Sequence, residues 1–391
     1  MRICFVSREY PPVTSYSGGI GFHYRAISMA VARAGAQAEV ITLGEGRDER
    51  LESEGVRVHR VPVPPGGRSR VLRDALWARA IDAAIREDGP FDAVYAPEWA
   101  GEASRYSRAQ TAGPLITNLT SSVALVMRSS PGFSARRRVR LALQEPLERR
   151  QAQRSRMLVA VSQAILERLR AMWEIDDVPT VVIPNCVDVS ATRRLAGGDP
   201  PEAFPADGPV VAFSGRLQAH KGVDVLVGAM SSVWARVPEA RLVLLGADAP
   251  AGRGWMGERL AQLAGEHRDR LHVLGLQPRE RLFPALARAD VVALPSRWDA
   301  FPLAAVEAMA LGRPQVLTEG TGFEEVAGHE AARFVPVDDA VALGAAIADL
   351  LEDAPARRRL GEAGSARAGR FDVEPIARRH LELFEAVAAD A

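Results

Sequence analysis

Short apolar runs alternate with helical patterns along this chain, and the alternation happens twice, on either side of a break rich in glycine, proline and aspartate. Strands that take turns with helices are joined by crossovers. Crossovers lay the strands parallel and cover both faces of the sheet. Residues 3–7, 38–43, 56–61, 93–96, 115–117, 158–161 and 181–183 read as strands of the first half, with helices at 19–33, 70–86, 136–154 and 163–173. The break spans 196–209. Strands at 210–214, 242–245, 271–274, 291–294 and 315–317 then restart the pattern, and 373–388 reads as a long amphipathic helix. A chain of 391 residues exceeds what one hydrophobic core usually holds. The expectation is an α/β protein with two Rossmann-like doubly wound domains, 1–195 and 208–372, facing across a cleft at the carboxyl ends of both sheets.

Formal net charge is zero, so no basic face for nucleic acid follows from the totals. The two cysteines, Cys4 and Cys186, fall in a strand-like and a loop-like run and suggest no disulfide framework. The first residues enter an apolar strand without signal-peptide anatomy, and no apolar run has membrane-spanning length. The expectation is a cytoplasmic protein without stable membrane insertion. Abundant alanine and arginine suggest a bacterial source.

Three constellations carry chemistry. In Ser17-Gly18-Gly19-Ile20-Gly21, glycines precede a helix whose N-terminus favours an anion. Gly19 and Gly21 fit the first two positions of a dinucleotide fingerprint, but Tyr24 stands at the third, which disfavours a nicotinamide cofactor. Read conservatively, the run is an ordinary loop turn. The second constellation follows the strand at 210–214: Gly215 permits a tight turn, and Arg216 and Lys221 lie on a loop and a helix start. Lys221 is the single lysine of an arginine-rich chain. A compact ammonium and a planar fork together suit a diphosphate whose charge must be neutralised as it leaves. In the third, Pro295–Ala310, Pro302 suits the first helical position, and the N–H groups of Leu303 and Ala304 are available to an anion. Asp299 and Glu307 can accept hydrogen bonds from hydroxyls, Glu307 from a ribose diol; the plainer reading is a cap and a helix-face carboxylate. The seven histidines lack metal-ligand spacing, so neither a metal nor a cofactor is expected.

Together these segments resemble the retaining nucleotide-sugar glycosyltransferases of family 4, with the GT-B fold. Ile183-Pro184-Asn185-Cys186-Val187-Asp188 and Thr318-Glu319-Gly320-Thr321-Gly322-Phe323-Glu324-Glu325 add to the likeness. The resemblance implies that Arg216 and Lys221 bind the donor diphosphate, that Asp299 contacts the donor sugar, and that Glu307 binds the ribose. Gly19, Gly21, Gly215, Phe301, Leu303 and Ala304 would complete the donor site, and the last helix, 373–391, would cross back onto the first domain. Three positions depart from the family pattern. Pro302 stands where a glycine is common, which removes one backbone donor, and Cys186 replaces another glycine. The stretch Thr117-Asn118-Leu119-Thr120-Ser121-Ser122 lacks the histidine that many members carry near the reacting sugar. Asn118 or Thr120 could supply a polar contact, or the donor sugar could differ.

The implied reaction is metal-independent transfer of a sugar from a nucleotide diphosphate sugar to an acceptor hydroxyl, with retention by front-face attack. A nucleotide-sugar epimerase or hydrolase of the same fold, or a non-catalytic nucleotide-sugar sensor, are the alternatives. On the acceptor side, Glu9, Glu98 and Trp99 sit at strand ends where aromatic faces and carboxylates suit sugars, although packing and capping explain them equally. Arg136, Arg137, Arg138 and Arg140 could touch an anionic membrane, but Glu145 and Glu148 dilute the charge and favour a solvated helix.

Overall fold

The computed structural model describes residues 1–14, 18–44, 46, 48–62, 70–131, 134–247 and 255–390. Ser17 of the glycine loop lies outside these residues. The chain forms two compact units. The first comprises Met1–Arg128, Phe133–Cys186 and Asp372–Ala391; the second comprises Ser129–Gly132 and Val187–Phe371.

Eight strands build the first unit: β1 (Arg2–Val6), β2 (Gln37–Gly44), β3 (Glu49–Ser53), β4 (Val56–Pro62), β5 (Ala93–Pro97), β6 (Leu115–Leu119), β7 (Met157–Ala160) and β8 (Thr180–Val182). Their order is β3-β4-β2-β1-β5-β6-β7-β8, and every neighbouring pair is parallel except β3 with β4. Side chains alternate across a strand. Ile3 and Phe5 enter one hydrophobic cluster, Cys4 and Val6 the other, and all four are fully buried. A strand covered on both faces reads as an unbroken apolar run, which is how β1 showed in the sequence.

The helix Val373–Ala389 belongs to this first unit. Its buried stripe includes Ile376, His380, Phe384 and Val387, spaced three to four residues apart. Phe384 meets Phe5 edge to face at 5.9 Å. His380 donates from Nδ1 to the Ile376 carbonyl and accepts at Nε2 from the Tyr95 hydroxyl at 3.2 Å.

The second unit holds β9 (Val210–Ser214), β10 (Arg241–Leu245), β11 (Leu271–Gly275), β12 (Val291–Leu294), β13 (Gln315–Thr318) and β14 (Ala332–Val335), in the order β11-β10-β9-β12-β13-β14 and parallel throughout. In each sheet the chain builds outward on one side of its first strand, then returns to build on the other. The order reverses between β1 and β5 in one unit and between β9 and β12 in the other. Loops leaving the carboxyl ends of such neighbours diverge and open a crevice, the usual ligand site of open α/β sheets.

The structure corrects several expectations. The strands β3 and β14 were not anticipated: β3, Glu-Arg-Leu-Glu-Ser, is a largely exposed antiparallel edge with no apolar run. The boundary between units falls at Cys186/Val187, not at 195. The helix Val189–Leu195 packs in the second unit, where the Arg193 side chain donates to the Ala310 and Ser365 carbonyls. The Gly/Pro-rich stretch is therefore a loop inside that unit. Pro302 is the residue before the helix Leu303–Ala310, not its first residue, because its ψ of 93° is extended.

Candidate active site

In the second unit, three loops at the carboxyl edge are tied to one another. Gly215 follows β9 and turns the chain to the exposed Arg216. The short turn Ala219–Lys221 then leads through Gly222 into the helix Val223–Arg236. Gly222 has φ 67°, and a Cβ there would lie 1.8 Å from the Pro295 carbonyl oxygen. Only glycine permits this turn to lie flush against the loop after β12. From that loop, the Arg297 amide donates to the His220 carbonyl at 2.7 Å. The Arg297 guanidinium donates to the Ala219 carbonyl and forks onto Asp224 at 2.9 and 3.1 Å. It also pairs with Asp338 at 2.7 Å. Burial would lower its pKa, but Asp224 and Asp338 outweigh that and raise it, so the fork stays charged.

This brace holds the Lys221 ammonium 2.6 Å from the Asp299 carboxylate, with the two side chains only 22% and 15% exposed. The loop after β13 closes behind them: the Gly322 amide donates to the Asp299 carbonyl at 2.8 Å, and the Thr318 hydroxyl donates to the Ser296 carbonyl at 2.6 Å. Farther along, Leu303 and Ala304 are half-buried, and no acceptor among the described residues takes their amide hydrogens. Phe301 is buried edge-on against Phe371 at 5.5 Å. Glu307 is buried, with Arg279 3.4 Å away; burial raises its pKa and Arg279 partly offsets the rise. A rotatable cation, a carboxylate, two unpaired amides and a second carboxylate thus line the β9/β12 reversal and the helix that follows it.

In the first unit, the Glu9 carboxylate accepts from the Gly18 amide at 2.6 Å. A Cβ on Gly21 would lie 2.8 Å from both the Cβ and the carbonyl oxygen of Glu9, so Gly21 lets the helix Gly19–Arg33 close on this loop. Gly19 opens that helix and is exposed. Trp99 is half-buried on a turn after β5. The remaining acceptor-side residues turn inward. Glu98 is fully buried and accepts from the amides of Thr120, Ser121 and Ser122 and from the Thr120 hydroxyl, at 2.7–2.9 Å. Asn118 is fully buried and donates to the Val159 carbonyl. Asn118 and Thr120, which the sequence offered as polar contacts in place of the histidine, are both buried, and the Asn118 Oδ1 has no hydrogen-bond partner among the described residues.

Sequence reasoning missed Arg297, Glu148 and Arg8. Arg8 leaves β1 at the order reversal and pairs with Glu102 and Asp74. Glu148 is fully buried and accepts from the amides of Ala100 and Val123 and the Ser122 hydroxyl. Burial raises its pKa strongly, and nearby Glu98 adds to the rise. A signal existed: Gln144, Glu148 and Gln151 form a polar stripe at helical spacing, and all three are buried.

Residues 199–367 match the family described as Glycosyl transferases group 1, and residues 17–191 match Glycosyltransferase Family 4. The chain belongs to the GT-B glycosyltransferases of this group. A D-inositol 3-phosphate glycosyltransferase of Segniliparus rotundus is 29% identical over 96% of this glycosyltransferase and 86% of its own length. A phosphatidyl-myo-inositol mannosyltransferase of Mycolicibacterium smegmatis is 31% identical over 56% of this chain and 55% of its own. Among solved structures, a sucrose-phosphate synthase from Thermosynechococcus elongatus superposes with a TM-score of 0.83 at 24% identity, covering 100% of both chains. Anabaena Alr3699/HepE, solved with UDP and glucose, gives 0.71 at 21% identity, covering 98% and 99%. These likenesses agree with the two doubly wound units and their parallel sheets.

Proposed function

We propose that this glycosyltransferase moves a sugar from a nucleotide diphosphate sugar to an acceptor hydroxyl with retention of anomeric configuration. The observation that carries the reading is the Lys221–Asp299 pair at the β9/β12 reversal, on the loop that also carries Arg216 and braced by Arg297. A sugar leaves as an oxocarbenium-like centre while negative charge collects on the diphosphate. Cations fixed beside that charge stabilise the transition state more than the ground state. In this reading Lys221 and Arg216 neutralise the diphosphate, and the amides of Leu303 and Ala304 add donors at a helix N-terminus. Asp299 orients the Lys221 ammonium and accepts from a donor-sugar hydroxyl. Glu307 takes the ribose diol. Its buried, raised-pKa carboxyl suits an acceptor shielded from water. The leaving diphosphate accepts the proton from the attacking hydroxyl, so the protein contributes charge and alignment.

The D-inositol 3-phosphate glycosyltransferases that match along nearly the whole chain support one acceptor class. We infer a polyol hydroxyl on a cyclitol or its phosphate ester. Nucleotide release from UDP-, GDP- and dTDP-sugars, with and without myo-inositol phosphates, tests both halves of the reading. Acceptor-dependent release from one donor supports it. Conversion of donor without acceptor, or binding without release, overturns it in favour of an epimerase or a sensor.

A further inference from the structure

We infer that Ser121 is the specificity-determining hydroxyl of the first unit, and that Glu98 positions it. The inference rests on the glycosyl-transfer reading above and adds to it one named hydroxyl from a segment that holds no histidine.

The segment Asn118–Ser122 leaves the carboxyl end of β6, one strand beyond the β1/β5 order reversal. Four polar side chains lie there, and three donate to the chain itself. The Asn118 amide group donates to the Val159 carbonyl at 3.1 Å. The Thr120 hydroxyl donates to Glu98 at 2.9 Å, and the Ser122 hydroxyl to Glu148 at 3.1 Å. All three residues are buried. Ser121 differs: it is only half-buried and its hydroxyl has no hydrogen-bond partner among the described residues, although its amide is fixed on Glu98 at 2.7 Å. The Asn118 Oδ1 also lacks a partner, but that residue is fully buried; of the four, Ser121 alone is not buried and can meet a ligand.

The backbone shows that this orientation is imposed. Ser122 has φ 29°, a region an L-residue with a side chain enters only under constraint. The constraint is visible. Three consecutive amides, of Thr120, Ser121 and Ser122, converge on one carboxylate, and the next, of Val123, goes to Glu148 at 3.0 Å. Such a run of amides is an anion nest. Here the chain fills it with Glu98, so an acceptor phosphate cannot use it. What remains for a ligand is a neutral hydroxyl, one donor and two acceptor lone pairs, suited to a sugar or cyclitol hydroxyl.

The test is steady-state kinetics with the donor and acceptor found active for the wild-type chain. Ser121→Ala is expected to lower kcat/KM roughly three- to tenfold, the loss of one neutral hydrogen bond, with an unchanged thermal midpoint because the hydroxyl holds nothing in the fold. Thr120→Val removes one of the donors that hold Glu98, so it should lower kcat/KM, but by less than Ser121→Ala does. Glu98→Gln should lower kcat/KM, and adding Ser121→Ala to it should cause little further loss, because the hydroxyl is already out of place. Full activity of Ser121→Ala, or a Thr120→Val loss larger than that of Ser121→Ala, overturns the assignment of the hydroxyl. Additive losses in the double variant overturn the positioning role of Glu98. Those outcomes leave glycosyl transfer intact, whereas a wild-type chain that releases no nucleotide from any donor overturns the transfer reading and this inference together.

Discussion

Removing the Arg297 fork should damage stability and turnover together. Its guanidinium and Asp224 are 10% and 16% exposed, and the guanidinium also braces the Ala219 carbonyl and Asp338. Breaking a fully buried ion pair costs about 3–5 kcal/mol. Asp338 is 53% exposed and adds little. Partial solvent access at the pair reduces the expected cost of Arg297→Met to about 2 kcal/mol. For a unit of this size that is a fall of roughly 4–8 °C in its unfolding midpoint, read by differential scanning calorimetry. Arg297→Lys keeps a charge for Asp224 but cannot hold two acids and a carbonyl at once, so about half the loss should remain. The kinetic effect should exceed the thermal one. Lys221 sits on the turn this fork holds, and a displacement of ~1 Å at a reacting group can lower turnover about 100-fold. The double variant Arg297→Met/Asp224→Asn isolates the pair, with an expected coupling of about 1.5 kcal/mol. An Arg297→Met chain with wild-type melting and wild-type kcat would refute the idea that this arginine holds Lys221 in place.

Further outcomes follow from the same geometry. Lys221→Ala should lower turnover about 100- to 1,000-fold, and leaving Asp299 without its partner should cost about 1 kcal/mol of stability. Lys221→Arg should recover only part of that loss, because a planar fork cannot occupy a contact shaped for an ammonium 2.6 Å from Asp299. Gly222→Ala should cost about 3 kcal/mol or more, because its Cβ collides with Pro295 at a positive-φ position; equal melting of this variant and wild type would contradict the turn described. Burial lowers the His380 pKa from 6.5 to about 4. Its contribution is present above the unfolded value and is lost as pH falls through the folded one, so the first unit should melt earlier as pH drops from about 6.5 toward 4. His380→Leu should flatten that slope, and an unchanged slope would assign it elsewhere.

The sheets were legible in the sequence because their strands are covered on both faces. Residues 3–6 and 210–213 leave no polar position to break the run. By contrast β3 has its charge on an exposed edge, and only its register with β4 makes it a strand. Lys221, Asp299 and Glu307 could be picked out because glycine, proline and a lone lysine mark turns and helix starts locally. What holds them could not. Arg297 meets Asp224 from 73 residues away, and Glu98 binds amides 22–24 residues downstream. A backbone amide carries no sequence signature, so a carboxylate that serves amides looks the same as one that serves a substrate. For that reason Glu98 and Thr120 read as an acceptor surface until their partners were visible. Glu148 was hidden by its arginine-rich helix, whose net charge conceals a buried polar stripe.

The central claim is that a nucleotide sugar reacts at the site built on Lys221. The most direct measurement is acceptor-dependent nucleotide release by wild type and by Lys221→Ala, across UDP-, GDP- and dTDP-sugars with myo-inositol phosphates as acceptors. The account predicts release from one donor by the wild-type chain, lost about 100-fold or more in a variant that stays folded. A Lys221→Ala chain that stays folded and releases nucleotide at the wild-type rate would contradict it.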